Sequence, residues 1–150
     1  MTIFFIFIIL VSFCFAHLEI QIEGSAGWAK NLPTWRIEKH WLLDLFWGGR
    51  PLTGYHFWAM LFIISMFHFP FAFSGQWSWL MEARSIGGFA LFWLIEDFLW
   101  FVLNPQFGIS KFKKENIPWH PRWFLGMPVD YWIFAPIGIS LVYISYLWPA

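Results

Sequence analysis

Four long apolar runs alternate with polar stretches along this chain. They cover residues 2–19, 52–73, 86–104 and 129–148. Each is near the roughly 20 residues that a helix needs to cross a hydrocarbon core about 30 Å thick. The apolar side chains run continuously instead of alternating, which favours helices over the strands of a barrel. The pattern predicts an all-α integral membrane protein with four transmembrane helices in a single domain, residues 1–150.

The connecting stretches are distinct in kind. Residues 20–51 hold Gly24, Gly27, Asn31 and Pro33, which are turn signals, and then Thr34 ahead of WRIEKHWLLDLFW. Thr34 suits an N-cap. Ile37, Trp41 and Leu45 follow helical spacing, with Arg36, Lys39 and His40 on another side. This predicts a short amphipathic helix lying in the interface and ended by Gly48-Gly49. Residues 74–85 form a brief connection. Residues 105–128 form a longer one, stiffened by Pro118, Pro121 and Pro128. Pro70 kinks or ends the second run, and Asn104-Pro105 ends the third. The first run passes Ala16 and reaches Glu19 with no Lys or Arg before its core. It therefore reads as a retained membrane helix and not as a signal peptide.

Composition sharpens this picture. Charged residues make up 12% of the chain, about half the share of an ordinary soluble domain. Thirteen Trp fit membrane–water boundaries, where a ring has one apolar edge and one wet edge. Tyr131 and Trp132 mark one boundary of the last helix, Tyr146 and Trp148 the other. A net charge of zero removes the case for nucleic acid. The single cysteine, Cys14, excludes an internal disulfide. Phosphate loops, nucleophile elbows and paired-cysteine motifs are absent, so a soluble cofactor enzyme is excluded.

The basic residues orient the chain. Lys30, Arg36, Lys39 and Arg50 precede the second run, and Lys111, Lys113, Lys114 and Arg122 precede the fourth; only Arg84 lies between the second and third. The positive-inside rule then places loops 20–51 and 105–128 in the cytoplasm and both termini outside.

Candidate chemistry centres on the third run, IGGFALFWLIEDFLWFVLN. Glu96 lies ~12 Å from Asn104 along a helix, close to the midplane. A charge there costs about 2.5–3.5 kcal/mol on insertion scales, so an acid in that place is a functional hypothesis by default. Asp97 follows it and points ~100° away, so the two acids face different neighbours. His56 and His120 fall at the same end by depth, and His40 borders that set; His68, Glu82 and Arg84 form an outer set. Imidazole with carboxylate ligates transition metals, which makes His56, Glu96, Asp97 and His120 candidate metal ligands. The same four are candidate catalytic groups, because burial and a neighbouring imidazole tune a carboxyl for proton transfer. Trp93 and Trp100 flank the acids at helical spacing and suit an apolar ligand or a cation. Arg122, within WHPRW, suits an anionic head group. A bland reading competes with all of these: an acid satisfied by an indole N–H, in a purely structural role.

Three functions follow from these residues. The first is a small membrane enzyme or binding protein for a lipid-like ligand, sited between the second and third helices at the cytoplasmic half. The second is an accessory subunit of a larger membrane complex, with Phe and Trp against partner subunits. The third is a proton or ion pathway, weakened because the first and fourth runs offer no ionisable residue at mid-depth. Membrane lipids are expected partners, and other membrane protein subunits are further candidates.

Overall fold

The structure is a computed structural model that describes residues 1–46 and 48–147. Trp47, assigned to the amphipathic helix, and Trp148, assigned to an aromatic boundary, lie outside the described residues. The helices are α1 (Thr2–Glu23), α2 (Trp41–Phe46), α3 (Gly54–Ser74), α4 (Trp79–Leu103) and α5 (Val129–Leu147). Strands β1 (Arg36–Ile37) and β2 (Leu52–Thr53) form one antiparallel pair, and β3 (Trp123–Phe124) and β4 (Met127–Pro128) another. Helices α1, α3, α4 and α5 are each long and apolar enough to cross a membrane, which agrees with the four apolar runs in number and place.

Two boundaries differ from the hydropathy pattern by a helical turn or more. Helix α1 continues past Glu19 to Glu23, because both acids lie on its buried face and the helix need not end where charge begins. Helix α4 starts at Trp79 instead of Ile86. Ser78 caps it, its hydroxyl accepting the Met81 N–H at 3.2 Å.

The amphipathic helix is corrected more deeply. Residues 36–37 are extended and pair with residues 52–53, leaving six residues, Trp41–Phe46, helical among the described residues of this stretch. Thr34 does not cap the segment that follows it; its hydroxyl accepts the Tyr55 N–H, in the first turn of α3, at 3.0 Å. A backbone ladder to a segment sixteen residues away outweighs local helical spacing here.

Helix α4 is the hub. It packs against α1, α3 and α5, whereas α3 and α5 do not pack closely on each other among the described residues. Ile8, Ile63, Phe67, Leu91, Phe92 and Val142, drawn from all four long helices, form one buried core. Hydroxyls tie the helices across it: Ser12 donates to the Phe92 carbonyl at 3.0 Å and Ser85 to the Phe67 carbonyl at 2.9 Å. Pro70 stays inside α3, which continues to Ser74. The α4–α5 seam is closed by glycine. A Cβ on Gly87 would lie 2.9 Å from the Gly138 carbonyl oxygen, so the two backbones touch.

The 105–128 connection is packed down onto the end of α4. Ile20, Trp100, Phe101 and Ile117 make a second buried cluster, roofed by Phe107, Phe112, Trp119 and Trp123. Asn104 anchors it: its amide donates to the Gly24 carbonyl at 2.8 Å, and its side-chain oxygen accepts the Gln106 N–H at 3.0 Å.

Candidate functional site

The ends of α1, α3, α4 and α5 meet under this roof, and they bring acids with them. Glu19 and Glu23 are four residues apart, so they stack on one face of α1. Glu23 is held by backbone: it accepts the Trp28 N–H at 3.1 Å and the Ala29 N–H. Those amides converge because Gly27, Trp28 and Ala29 are all left-handed, at φ 62°, 51° and 51°. Two of these residues carry a Cβ, so the turn stores backbone strain that its surroundings must hold. Arg36 helps by donating to the Trp28 carbonyl at 3.0 Å.

His56 sits in the first turn of α3. Thr53 caps that turn, accepting the His56 N–H at 3.2 Å and touching the ring Nδ1 at 2.6 Å. The other nitrogen, Nε2, points at α1, 3.6 Å from Glu23 Oε1 and 3.8 Å from Glu19 Oε1. The ring stacks on Trp28 at 4.1 Å. Beyond Glu19 stands Glu96 from α4, its carboxyl within reach of the Glu19 carboxyl.

The angular step between neighbours sends Asp97 the other way, toward α5. Tyr131 donates its hydroxyl to Asp97 at 2.5 Å. His120 Nε2 lies 3.2 Å from Asp97, and its Nδ1 lies 3.6 Å from Asp130. Arg50 reaches both acids, 3.9 Å from Asp97 and in an ion pair with Asp130. Burial pushes the His120 imidazole below its usual range, and the nearby Arg50 charge pushes it the same way while Asp97 opposes. That shift favours the neutral ring, and both of its nitrogens are buried with no hydrogen-bond partner among the described residues. Burial also lowers the Arg50 guanidinium, with Asp97 working against it.

A cavity of about 400 Å³ opens between α3, α4 and α5. Glu19, Glu23, His56, Glu96, Asp97, Asp130 and Arg50 lie at one end, so five carboxyls share it with one guanidinium. Indoles from Trp28, Trp93, Trp100 and Trp119 surround them. From there the walls turn apolar, through Met60 and Ile64 of α3, Ile86 and Ala90 of α4, and Phe134 and Ile137 of α5. Phe134 and Ile137 are 40% and 46% exposed, so the apolar part opens sideways between α3 and α5.

The residues singled out from sequence divide over this site. His56, Glu96 and Asp97 line the cavity with Trp93 and Trp100, and His120 backs Asp97. Arg122 and His40 are exposed and do not line it. His56, Glu96, Asp97 and His120 do not close on one point: His56 faces Glu19 and Glu23, while His120 faces Asp97 and Asp130. The indole nitrogens of Trp93 and Trp100 and Glu96 Oε1 are buried with no hydrogen-bond partner among the described residues. Among the described residues, neither of these indoles satisfies Glu96.

Glu19, Glu23, Arg50, Asp130 and Tyr131 were missed. Glu19 and Glu23 carried a signal, the helical i, i+4 spacing of two acids, obscured once the first helix was ended at Glu19. In the sequence alone Arg50 is only an orienting charge.

The opposite end is simpler. His68 Nε2 contacts Glu82 at 2.9 Å, Trp77 donates to the same acid at 3.0 Å, and Arg84 turns away to Ser145. The His68–Glu82 pair is about 30% and 27% exposed. His68→Ala is expected to cost less than about 1 kcal/mol in unfolding measurements, as surface pairs do.

Comparison with protein-family models, with curated proteins and with solved structures finds no match to this chain.

Proposed function

We propose that this chain is a multi-pass integral membrane protein that holds a lipid-like amphiphile and acts on its polar head by proton transfer. The observation that carries the reading is the two-part cavity: a buried acid and imidazole end continuous with an apolar groove that opens sideways between α3 and α5. Along α4 the groove spans Asp97 to Ile86, ~16 Å, which accommodates a long stretch of acyl or isoprenoid chain. Exposed apolar side chains such as Ile3, Ile9, Phe62, Phe69 and Ile139 cover the outer faces of the long helices, as lipid contact requires. Loops 24–53 and 104–128 carry the exposed lysines and lie in the cytoplasm in this reading, with both termini outside.

Five carboxyls against one guanidinium disfavour a phosphate head and favour one that donates hydrogen bonds, a hydroxyl or an amine. Glu96, Asp97 and His120 are the acid/base groups, with His56 beside Glu19 and Glu23. An accessory-subunit role rests on the exposed faces alone, which lipid covers equally well, and it leaves the buried acids without a task.

The test is mass spectrometry of lipids that co-purify with the protein in mild detergent. Wild type is expected to carry one amphiphile enriched over bulk membrane lipid. Ala90→Phe fills the groove and is expected to lower that enrichment about tenfold while unfolding temperature is kept. Glu96→Gln or Asp97→Asn abolishes it while the protein still inserts. No enrichment in wild type, or full enrichment in all three variants, overturns the reading.

A further inference from the structure

The α1 side of the polar end has a geometry that proton transfer alone does not explain. His56 Nε2 lies 3.6 Å and 3.8 Å from the nearer oxygens of Glu23 and Glu19. These separations are too long for hydrogen bonds. They match donors that share one ion: with metal–ligand bonds of ~2.0–2.2 Å, tetrahedral or trigonal angles put donors ~3.3–3.8 Å apart. One donor atom from each of Glu19, Glu23 and His56 lies within 4.8 Å of the others.

Three further features point the same way. Glu19 Oε1 is buried, faces this point and has no hydrogen-bond partner among the described residues. Glu23 and His56 are both braced from behind. The Trp28 and Ala29 amides hold the Glu23 carboxylate, and Thr53 Oγ1 is placed to accept an Nδ1 proton, which leaves the Nε2 lone pair free. Such outer partners orient metal ligands. Charge agrees as well: two carboxylates with a neutral imidazole balance a divalent cation, and the surplus of carboxyls at this end asks for one.

We infer that Glu19, Glu23 and His56 form a binding site for a divalent first-row transition metal at the buried end of the cavity. Glu96, whose Oε1 is also buried and unpartnered, stands beside Glu19 as a fourth donor or as the acceptor for a metal-bound water. One nitrogen with two or three oxygens suits Zn²⁺, Mn²⁺ or Fe²⁺. The inference does not rest on the lipid reading, since the site stands on α1 and α3 whether or not the groove is filled.

The experiment uses the full chain in detergent. Elemental analysis of the purified wild type is expected to find one transition metal per chain. After chelator stripping, Zn²⁺ is expected to rebind saturably with Kd below about 10 µM and to raise the unfolding temperature. Co²⁺ in its place is expected to show the visible absorption of a four- or five-coordinate N,O site. Glu19→Gln and Glu23→Gln are each expected to weaken Zn²⁺ binding by about 100-fold or more, whereas Glu82→Gln, at the far end, keeps it. If either variant fails to fold, the wild-type stoichiometry and Co²⁺ spectrum decide alone. A metal-free wild type with no saturable Zn²⁺ binding overturns the site, and so does Zn²⁺ binding unchanged in Glu19→Gln.

Discussion

Arg50→Met is expected to lower unfolding stability by about 3–5 kcal/mol, the cost of removing one partner from a buried charge cluster. The guanidinium is 14% exposed and is the only cation in contact with Asp97 and Asp130 among the described residues. It also sits 5.2 Å over the Trp28 ring, so it braces the strained turn that holds Glu23. Without it, two carboxylates share a poorly hydrated site from which the guanidinium charge has gone. Chemical denaturation in detergent measures the loss. Arg50→Met with Asp130→Asn is expected to be milder than the sum of the two single changes by about 1–3 kcal/mol, since the partners act as one unit. Lys113→Met, an exposed charge on the same face, is expected to stay within about 0.5 kcal/mol. A loss below about 1 kcal/mol for Arg50→Met contradicts the cluster.

Gly87→Val is expected to cost about 3 kcal/mol, the upper end of overpacking effects. The reason lies in what the new atoms meet. A Cβ at Gly87 finds the Gly138 carbonyl oxygen at 2.9 Å and Leu141 Cβ at 2.9 Å, neither of which can rotate aside. Helix α5 must therefore move as a body. Asp130 and Tyr131 lie on that helix ~10–12 Å from Gly138, so the same movement loosens the Tyr131–Asp97 bond. A graded series tests this: Gly87→Ala at about 1–2 kcal/mol, then Gly87→Val, each with tryptophan fluorescence reporting on the indoles around the cavity. Equal stability across the series contradicts a backbone-to-backbone seam.

Both predictions concern residues that carried little weight in the linear pattern, and the reasons differ. Arg50 looked like one of eight orienting charges, because a loop residue has no depth until its loop is packed. Gly87 sits in the third run with nothing beside it in sequence to announce a seam; its partner, Gly138, is fifty-one residues on. By hydropathy Glu23 falls in a loop, because the first apolar run ends at its first charge. In the folded chain that charge is the start of the site. The WRIEKHW stretch read as helix from its own spacing, whereas β2 holds Arg36 and Ile37 extended from outside.

Hydropathy by itself determined the four long helices, because the free energy of burying an apolar run of that length is set by the run and hardly at all by its neighbours. The same local logic marked Glu96 and Asp97, whose cost in an apolar helix is visible without any fold. What those acids face is a different kind of fact. Only tertiary packing put Glu19, Glu23 and His56 around one point, joined Arg50 and His120 to Asp97, and left a groove between α3 and α5. Those relations depend on helix rotation and on where loops fold back, and both are decided by contacts between residues distant in the chain.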